Sequence, residues 1–302
     1  QFYVRYATGI KDNLYAKAAV FDNDKNIVAI VTIDALFVED TSVKKIREKI
    51  NKALGIPETN IMVSATHTHT GGPVCDWGDY IKKDNIYIEH MINKCVDAVI
   101  LAHKNARPAT ISFGKGCENG ISFNRRFLMK DGTVRTNPGI KNPDIVKPVG
   151  PIDPDVVVAR IDDENGNIIG VITNFACHLD VVGGTEYSAD YPGELSRMLK
   201  KVYGNNIISI FLTGTCGNIN HVDVSGKIER SKDHYIKMGR ILAGEVIKTL
   251  EKTVPCNDVD LLAQSRKIKL SVRQPSPEYL EKAKALIENT KWNIEELVTR
   301  GS

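Results

Sequence analysis

The stretch NIVAIVTIDALFV, Asn26 to Val38, does most to limit what this chain can become. A nearly unbroken apolar run rich in β-branched residues suits a strand covered on both faces, as where helices flank a sheet. Helix signals follow it. Asp40 or Thr41 offers an N-cap, Val43, Ile46, Ile50 and Leu54 recur at helical spacing, and Gly55 supplies a stop. Asn60 to Ser64 reads as the next strand, and Ile86 to Ala106 as an amphipathic helix.

The middle of the chain carries antiparallel signals. Phe127 to Met129 and Val134 to Thr136 flank Lys130-Asp131-Gly132, and Val156 to Ile161 and Ile168 to Asn174 flank Glu164-Asn165-Gly166-Asn167. Tyr191 to Tyr203 then reads as a helix, Ile207 to Leu212 as a buried strand and Lys232 to Lys252 as a long amphipathic helix. After Pro255 come a strand-like stretch to Val272 and a helix from Pro277 to Trp292. The sum predicts an α/β protein, with a mixed β-sheet core flanked by helices and β-hairpin insertions. No fixed-period repeat or low-complexity linker interrupts it, so residues 1–302 are expected to form a single domain, incomplete at both ends.

Composition narrows the function. With 42% hydrophobic and 25% charged residues the chain is globular, and its 40 basic and 37 acidic residues are mixed along it. A net charge of +3 argues against nucleic acid or an anionic membrane as partner. No apolar run is long enough to span a bilayer, and Gln1 to Arg5 has no leader pattern. Without a starting Met, the chain is expected to begin after processing or truncation. Its six cysteines show no metal-ligand or paired spacing, which points to reduced thiols and favours a cytoplasmic site, with secretion open if a leader was removed.

Chemistry concentrates in SATHTHTGGP, residues 64–73. If the strand continues through Thr66, His67 and His69 point to one face, and Gly71-Gly72-Pro73 breaks the strand where a ligand could approach. An arbitrary H-x-H is usually a surface pair. Here a second strand end, Asn174-Phe175-Ala176-Cys177-His178-Leu179-Asp180 before Gly183-Gly184, has the same form. Two strands of one sheet ending this way can converge on one cavity, and imidazole nitrogen suits Zn(II). His67 and His178 are the candidate ligands, with His69, Asp34 and Asp190 as candidates for a third. Asp190 is the better candidate for capping the helix that starts near Pro192, and Cys177 for a core thiol. His221 follows a buried strand, where it could line the cavity or simply make a turn. His90 and His103 read as helix-surface residues, and His234 carries no assigned role.

Taken in order, ATHTHTGGP, SFNRR, GPIDPD, NFACH, SADYPG and GTCGNIN resemble the neutral/alkaline non-lysosomal ceramidase family and its bacterial relatives. The resemblance implies a zinc-dependent hydrolase of lipid metabolism that cleaves the N-acyl amide of sphingolipids through a metal-activated water. It implies His67 and His178 as zinc ligands, His69 as the histidine that assists catalysis, and Arg125 as a group that stabilises the developing oxyanion. Asn124, Asn220 and His221 are weaker candidates for contacts to a small-molecule or lipid amide. Two departures matter. Asn220 stands where ceramidases carry a serine, which favours another amide or ester. The family's later glutamate and tyrosine ligands have no counterpart before Ser302. A binding protein that keeps the fold without turnover is the rival expectation.

Overall fold

A computed structural model describes residues 5–76, 82–228, 231–256, 260–272 and 274–289. Along the chain lie β1 (Gly9–Ile10), β2 (Ala16–Asp22), β3 (Ile27–Ile33), α1 (Asp40–Leu54), β4 (Ile61–Ala65), α2 (Asn85–Lys104) and β5 (Ala109–Cys117). Short strands β6 (Phe123–Asn124), β7 (Arg126–Met129), β8 (Val134–Thr136) and β9 (Ile145–Pro148) precede β10 (Asp155–Asp163) and β11 (Ile168–Phe175). Then come β12 (Glu186–Tyr187), α3 (Tyr191–Tyr203), β13 (Ile208–Thr213), β14 (Ile219–Asn220), α4 (His234–Leu250), β15 (Val254–Pro255) and α5 (Pro277–Asn289).

Two sheets carry the fold, each mixing parallel and antiparallel pairs. In the first, ordered β2-β3-β4, the run that opened the sequence analysis sits in the centre, antiparallel to β2 and parallel to β4. Alternation sends Ala29, Val31 and Ile33 of β3 to one face, where they pack with Ile46 and Ile50 of α1 and Ile92, Cys95 and Val99 of α2. The other face turns to β13: the Thr32 hydroxyl donates to the Phe211 carbonyl (3.3 Å) and Lys17 Nζ to the Ser209 carbonyl (3.0 Å).

The second sheet is ordered β13-β11-β10-β5-β15. Val156 and Val158 of β10 and Val171 and Phe175 of β11 pack against Leu195 and Leu199 of α3 and Met238, Leu242 and Val246 of α4. Full burial of one such side chain contributes roughly 1.5–3 kcal/mol. Gly239 is the contact point of the two helices, since a Cβ there would lie 2.7 Å from the Tyr191 carbonyl oxygen.

Both expected hairpins form, each around a glycine at positive φ. Gly132 (φ 78°) closes β7-β8, and Gly166 (φ 78°) closes β10-β11, where the Asp163 carboxylate accepts from the Asn165 and Asn167 amides. All six cysteines are free thiols, with Cys177 buried in the larger core. No helix among the described residues is long and apolar enough to cross a membrane.

Two expectations change, and a third runs past the described residues. Helix α1 is capped at Glu39, not at Asp40 or Thr41, and without a side-chain bond. The stretch before Val272 joins no ladder among the described residues: β15 pairs with β5 over Val254 and Pro255 alone, and a strand needs an edge to pair with. Helix α5 starts at Pro277 as expected, and its reading to Trp292 runs beyond the described residues.

Candidate metal centre

The two histidine-bearing segments come from different sheets, which corrects the expectation of two strands in one sheet. Strand β4 leaves the first sheet and β11 the second, and the loops that follow run side by side. A parallel bridge pairs Thr68 with Leu179, and the His69 amide donates to the Leu179 carbonyl (2.9 Å). The Thr68 hydroxyl, fully buried, donates to the Ser188 carbonyl (2.7 Å), fastening the first loop to a third segment.

Strand alternation is not what brings His67 and His69 together. β4 ends at Ala65, the His67 amide donates to the Ala35 carbonyl (2.9 Å), and His67 then takes φ 74°. That left-handed conformation costs an L-residue about 1–2 kcal/mol and bends the chain so that both rings turn inward. The ring nitrogens of His67, His69 and His178 lie within 4.8 Å of one another, and theirs is the group of candidate ligands that converges among the described residues. Asp34 and Asp190 lie outside it. Asp34 accepts from the Tyr15 amide (2.9 Å), and Asp190 caps α3 through the Tyr191 amide (2.7 Å) while also holding the Val181 and Val182 amides.

Two of the rings are fixed in tautomer. Nδ1 of His67 lies 2.8 Å from the Leu36 carbonyl oxygen, and Nδ1 of His178 lies 2.8 Å from that of Cys216. A carbonyl oxygen only accepts, so each Nδ1 carries the proton and each Nε2 keeps its lone pair. Those two Nε2 atoms face each other at 3.2 Å. Burial lowers the pKa of His178, against the opposing effect of its Cys216 hydrogen bond and with help from the Arg125 charge. Burial likewise takes His69 down to about 3, although the Asp180 carboxylate pulls the other way, so His69 is neutral near neutral pH.

Arg125 is aimed by its own loop. Strand β6 pairs antiparallel with β14, the Arg125 amide donates to the Asn218 carbonyl (2.8 Å), and Nε and Nη2 both donate to the Gly217 carbonyl. Its Nη1 makes no hydrogen bond among the described residues. The side chains of Asn124 and Asn220 are engaged in bracing. Asn124 donates to the carbonyls of Gly150 and Pro151 and accepts from the Arg126 amide, while buried Asn220 donates to Asn137 (2.9 Å) and accepts from the Val222 amide (3.0 Å).

His221 is buried, and its Nδ1 lies 3.1 Å from a carboxylate oxygen of Asp180. Sequence reasoning passed over Asp180 although it stands two residues after His178. Burial pushes its carboxyl up, but the hydrogen bond from His221 and the charges of His221, His178 and His69 outweigh that and hold it at about 2. His234, left without a role, lies with its ring centroid 5.8 Å from that of His221.

Comparison with known proteins places the chain among relatives of known fold. The family model described as "Neutral/alkaline non-lysosomal ceramidase, N-terminal" matches residues 3–225. Neutral ceramidase B of Dictyostelium discoideum is 26% identical over 213 residues, covering 66% of this chain and 28% of that protein. Neutral ceramidase of Pseudomonas aeruginosa is 27% identical over 179 residues, 56% of this chain and 25% of that one. The chain therefore spans about a quarter of the length of these relatives. The crystal structure of the Pseudomonas aeruginosa neutral ceramidase superposes with a TM-score of 0.68 at 21% identity, over 81% of this chain and 40% of the other, which shows a shared fold.

Proposed function

Because the chain belongs to the neutral/alkaline non-lysosomal ceramidase family, we propose that it carries the metal-holding part of a zinc-dependent hydrolase that cleaves the amide of an N-acyl lipid. The observation that carries this reading is the pair of Nε2 atoms 3.2 Å apart, each on a ring whose other nitrogen already donates to a carbonyl. Two lone pairs at that separation repel unless they share a cation. Two nitrogens bound to one tetrahedral zinc lie about 3.3 Å apart, given Zn–N bonds of 2.0–2.1 Å. The burial that depresses protonation of His178 favours a metal over a shared proton.

The all-imidazole donor set fits zinc, with His67 and His178 as ligands and the carbonyls of Leu36 and Cys216 orienting their rings. When bound, zinc supplies Lewis acidity toward an amide carbonyl and toward water. His69, beside both ligands, is placed to relay a proton toward the leaving amine. Arg125, anchored on the Gly217 carbonyl, directs Nη1 at negative charge growing on the substrate oxygen. Asn220 favours a substrate other than ceramide, because its amide is committed to Asn137 and the Val222 backbone.

The test is zinc content by elemental analysis, paired with hydrolysis of fluorogenic N-acyl amides with and without chelator. Near-stoichiometric zinc and chelator-sensitive turnover are expected. His67→Ala and His178→Ala should lose metal, while His69→Ala should keep metal and lose rate. Equal metal loss in all three would move His69 among the ligands, and turnover indifferent to chelator would remove the zinc mechanism.

A further inference from the structure

Residues 188–191, between β12 and the first turn of α3, are bonded to both histidine loops. Toward the first loop, the Ser188 carbonyl accepts from the hydroxyls of Thr68 (2.7 Å) and Thr70 (3.1 Å), and the Ser188 amide donates to the Thr70 carbonyl (3.1 Å). Those threonines alternate with His67 and His69. Toward the second loop, the Asp190 carboxylate accepts from the amides of Val181 (3.0 Å) and Val182 (2.9 Å), and the Tyr191 hydroxyl donates to the Cys177 carbonyl (2.9 Å). His178 lies between these attachment points. Ser188, Asp190 and Tyr191 are fully buried, so water does not compete for the bonds they make.

This segment is held from the other end of the chain. Asp190 takes φ 60° and ψ -158°, a strained conformation for an L-residue that persists only where its surroundings impose it. The Asp12 carboxylate accepts from the Ala189 amide (2.6 Å) through one oxygen and from the Ser188 hydroxyl through the other. The Ser188 hydroxyl oxygen in turn accepts from the Asp190 amide (3.0 Å), so one carboxylate binds three successive residues, the third through a hydroxyl it orients. Asp12 is itself placed by β1, which pairs with β12, and by its own amide and that of Lys11, which donate to the Tyr187 carbonyl. Capping α3 requires only the bond from the Tyr191 amide to Asp190 (2.7 Å). Ties to two loops, with a second carboxylate behind them, exceed what a helix start needs.

We propose that Asp12 is a positioning residue for the candidate metal centre: through Ser188 and Ala189 it fixes the turn at Asp190, and that turn sets the spacing of the loops that carry His67 and His178. The two loops come from different sheets, and residues 188–191 are a short piece of backbone bonded to both. Spacing matters because metal–ligand distances tolerate only about 0.2 Å of error, and the two Nε2 atoms already stand 3.2 Å apart. The inference rests on the hydrolase reading for the metal. For the spacing of the two rings it rests on the chain alone.

The test compares Asp12→Ala with Asp12→Asn, whose amide oxygen can still accept from Ala189 and whose NH2 can donate to the Ser188 hydroxyl. Zinc affinity is read by competition with a chromophoric chelator, and the His67 and His178 rings of the metal-free chain by long-range proton–nitrogen NMR. Asp12→Ala should weaken zinc binding about tenfold, the low end of what losing a group that orients ligands costs. It should also replace the single Nδ1-protonated form of His67 or His178 with a mixture of tautomers, and Asp12→Asn should restore both readouts. Val99→Ala, which truncates the core beneath the first sheet, serves as the comparison for stability alone. It should lower the urea midpoint and leave zinc affinity and ring spectra unchanged. A lower midpoint for Asp12→Ala with both readouts intact overturns the proposal, as does an equal loss of zinc affinity in Val99→Ala. If Asp12→Ala does not fold, Ser188→Ala removes the hydroxyl between Asp12 and the Asp190 amide and carries the same expectations. If the natural chain binds no zinc, the hydrolase reading fails and the ring spectra alone decide the role of Asp12.

Discussion

Two groups of histidines sit on either side of Asp180, and their partners differ in kind. His67 and His178 give their Nδ1 protons to carbonyl oxygens and point bare Nε2 atoms at each other, whereas His221 meets a carboxylate and lies beside His234. The same side chain is thus given two kinds of partner. A carbonyl partner fixes a tautomer without adding charge, so the free nitrogens invite a cation. On the other side the Asp180 carboxylate is the partner of His221, so that ring is committed to a neighbour in its own fold.

The largest effect should come from exchanging a histidine on each side. His178→Gln should lose essentially all bound zinc by elemental analysis, and His221→Gln should keep it. Zinc lost from both would merge the two groups into one site. Next in size is a pH effect at Asp190, which grips the Val181 and Val182 amides between the two groups. Burial outweighs those hydrogen bonds and raises its carboxyl to about 6 from the ordinary 3.8. Between those pH values the folded chain holds the proton more tightly than the unfolded chain, so stability attributable to Asp190 falls as pH rises, by about 1.4 kcal/mol per pH unit. Below the lower value the penalty is absent, and above the higher it is complete. Urea midpoints of the natural chain and Asp190→Asn across that window should therefore diverge in slope, and parallel curves would place the Asp190 carboxyl at its ordinary value.

A third variant presses on one side only. Gly214 follows β13, and a Cβ there would lie 2.9 Å from Ala176 Cβ and 3.1 Å from its Cα. Gly214→Ala should push the segment that carries His178, destabilise the chain by about 1–3 kcal/mol in urea melts and weaken zinc binding. The His221 ring signals in NMR spectra should be unaffected, and their change in step with zinc loss would show that the two sides move together.

The elements that could be read in the sequence are those whose signals are local. Helix α3 runs from Tyr191 to Tyr203 as expected because Asp190 caps it, Pro192 sits in its first turn and Gly204 ends it. The hairpins were legible for the same reason, since their turns need only Gly132 and Gly166. The three histidines could be found from two strand ends followed by glycines, but for the wrong geometric reason: a left-handed turn at His67 and a bridge between two sheets do what strand alternation was expected to do. The Asp180–His221 pair spans 41 residues and belongs to no repeated spacing, so only the folded chain joins it. Residues before Val272 alternate as a strand should, but alternation says nothing about whether a partner edge exists.

The smallest predicted effect tests the bridge itself. Thr68 is fully buried and donates to the Ser188 carbonyl at 2.7 Å, a carbonyl that also accepts from Thr70 at 3.1 Å. Thr68→Val keeps the shape and removes the hydroxyl, and because Thr70 still satisfies the carbonyl the loss should be about 1 kcal/mol, near the net worth of one neutral hydrogen bond. Its informative readout is where the loss is felt. The loop holding His67 and His69 is pinned to Ser188 by this bond, while His178 and His221 are held by Cys216 and Asp180. Zinc affinity should therefore fall a few-fold while the His221 ring signals in NMR spectra are unchanged. If the His221 signals moved with it, the loop after β4 would be supporting both groups, and the line drawn at Asp180 would be in the wrong place.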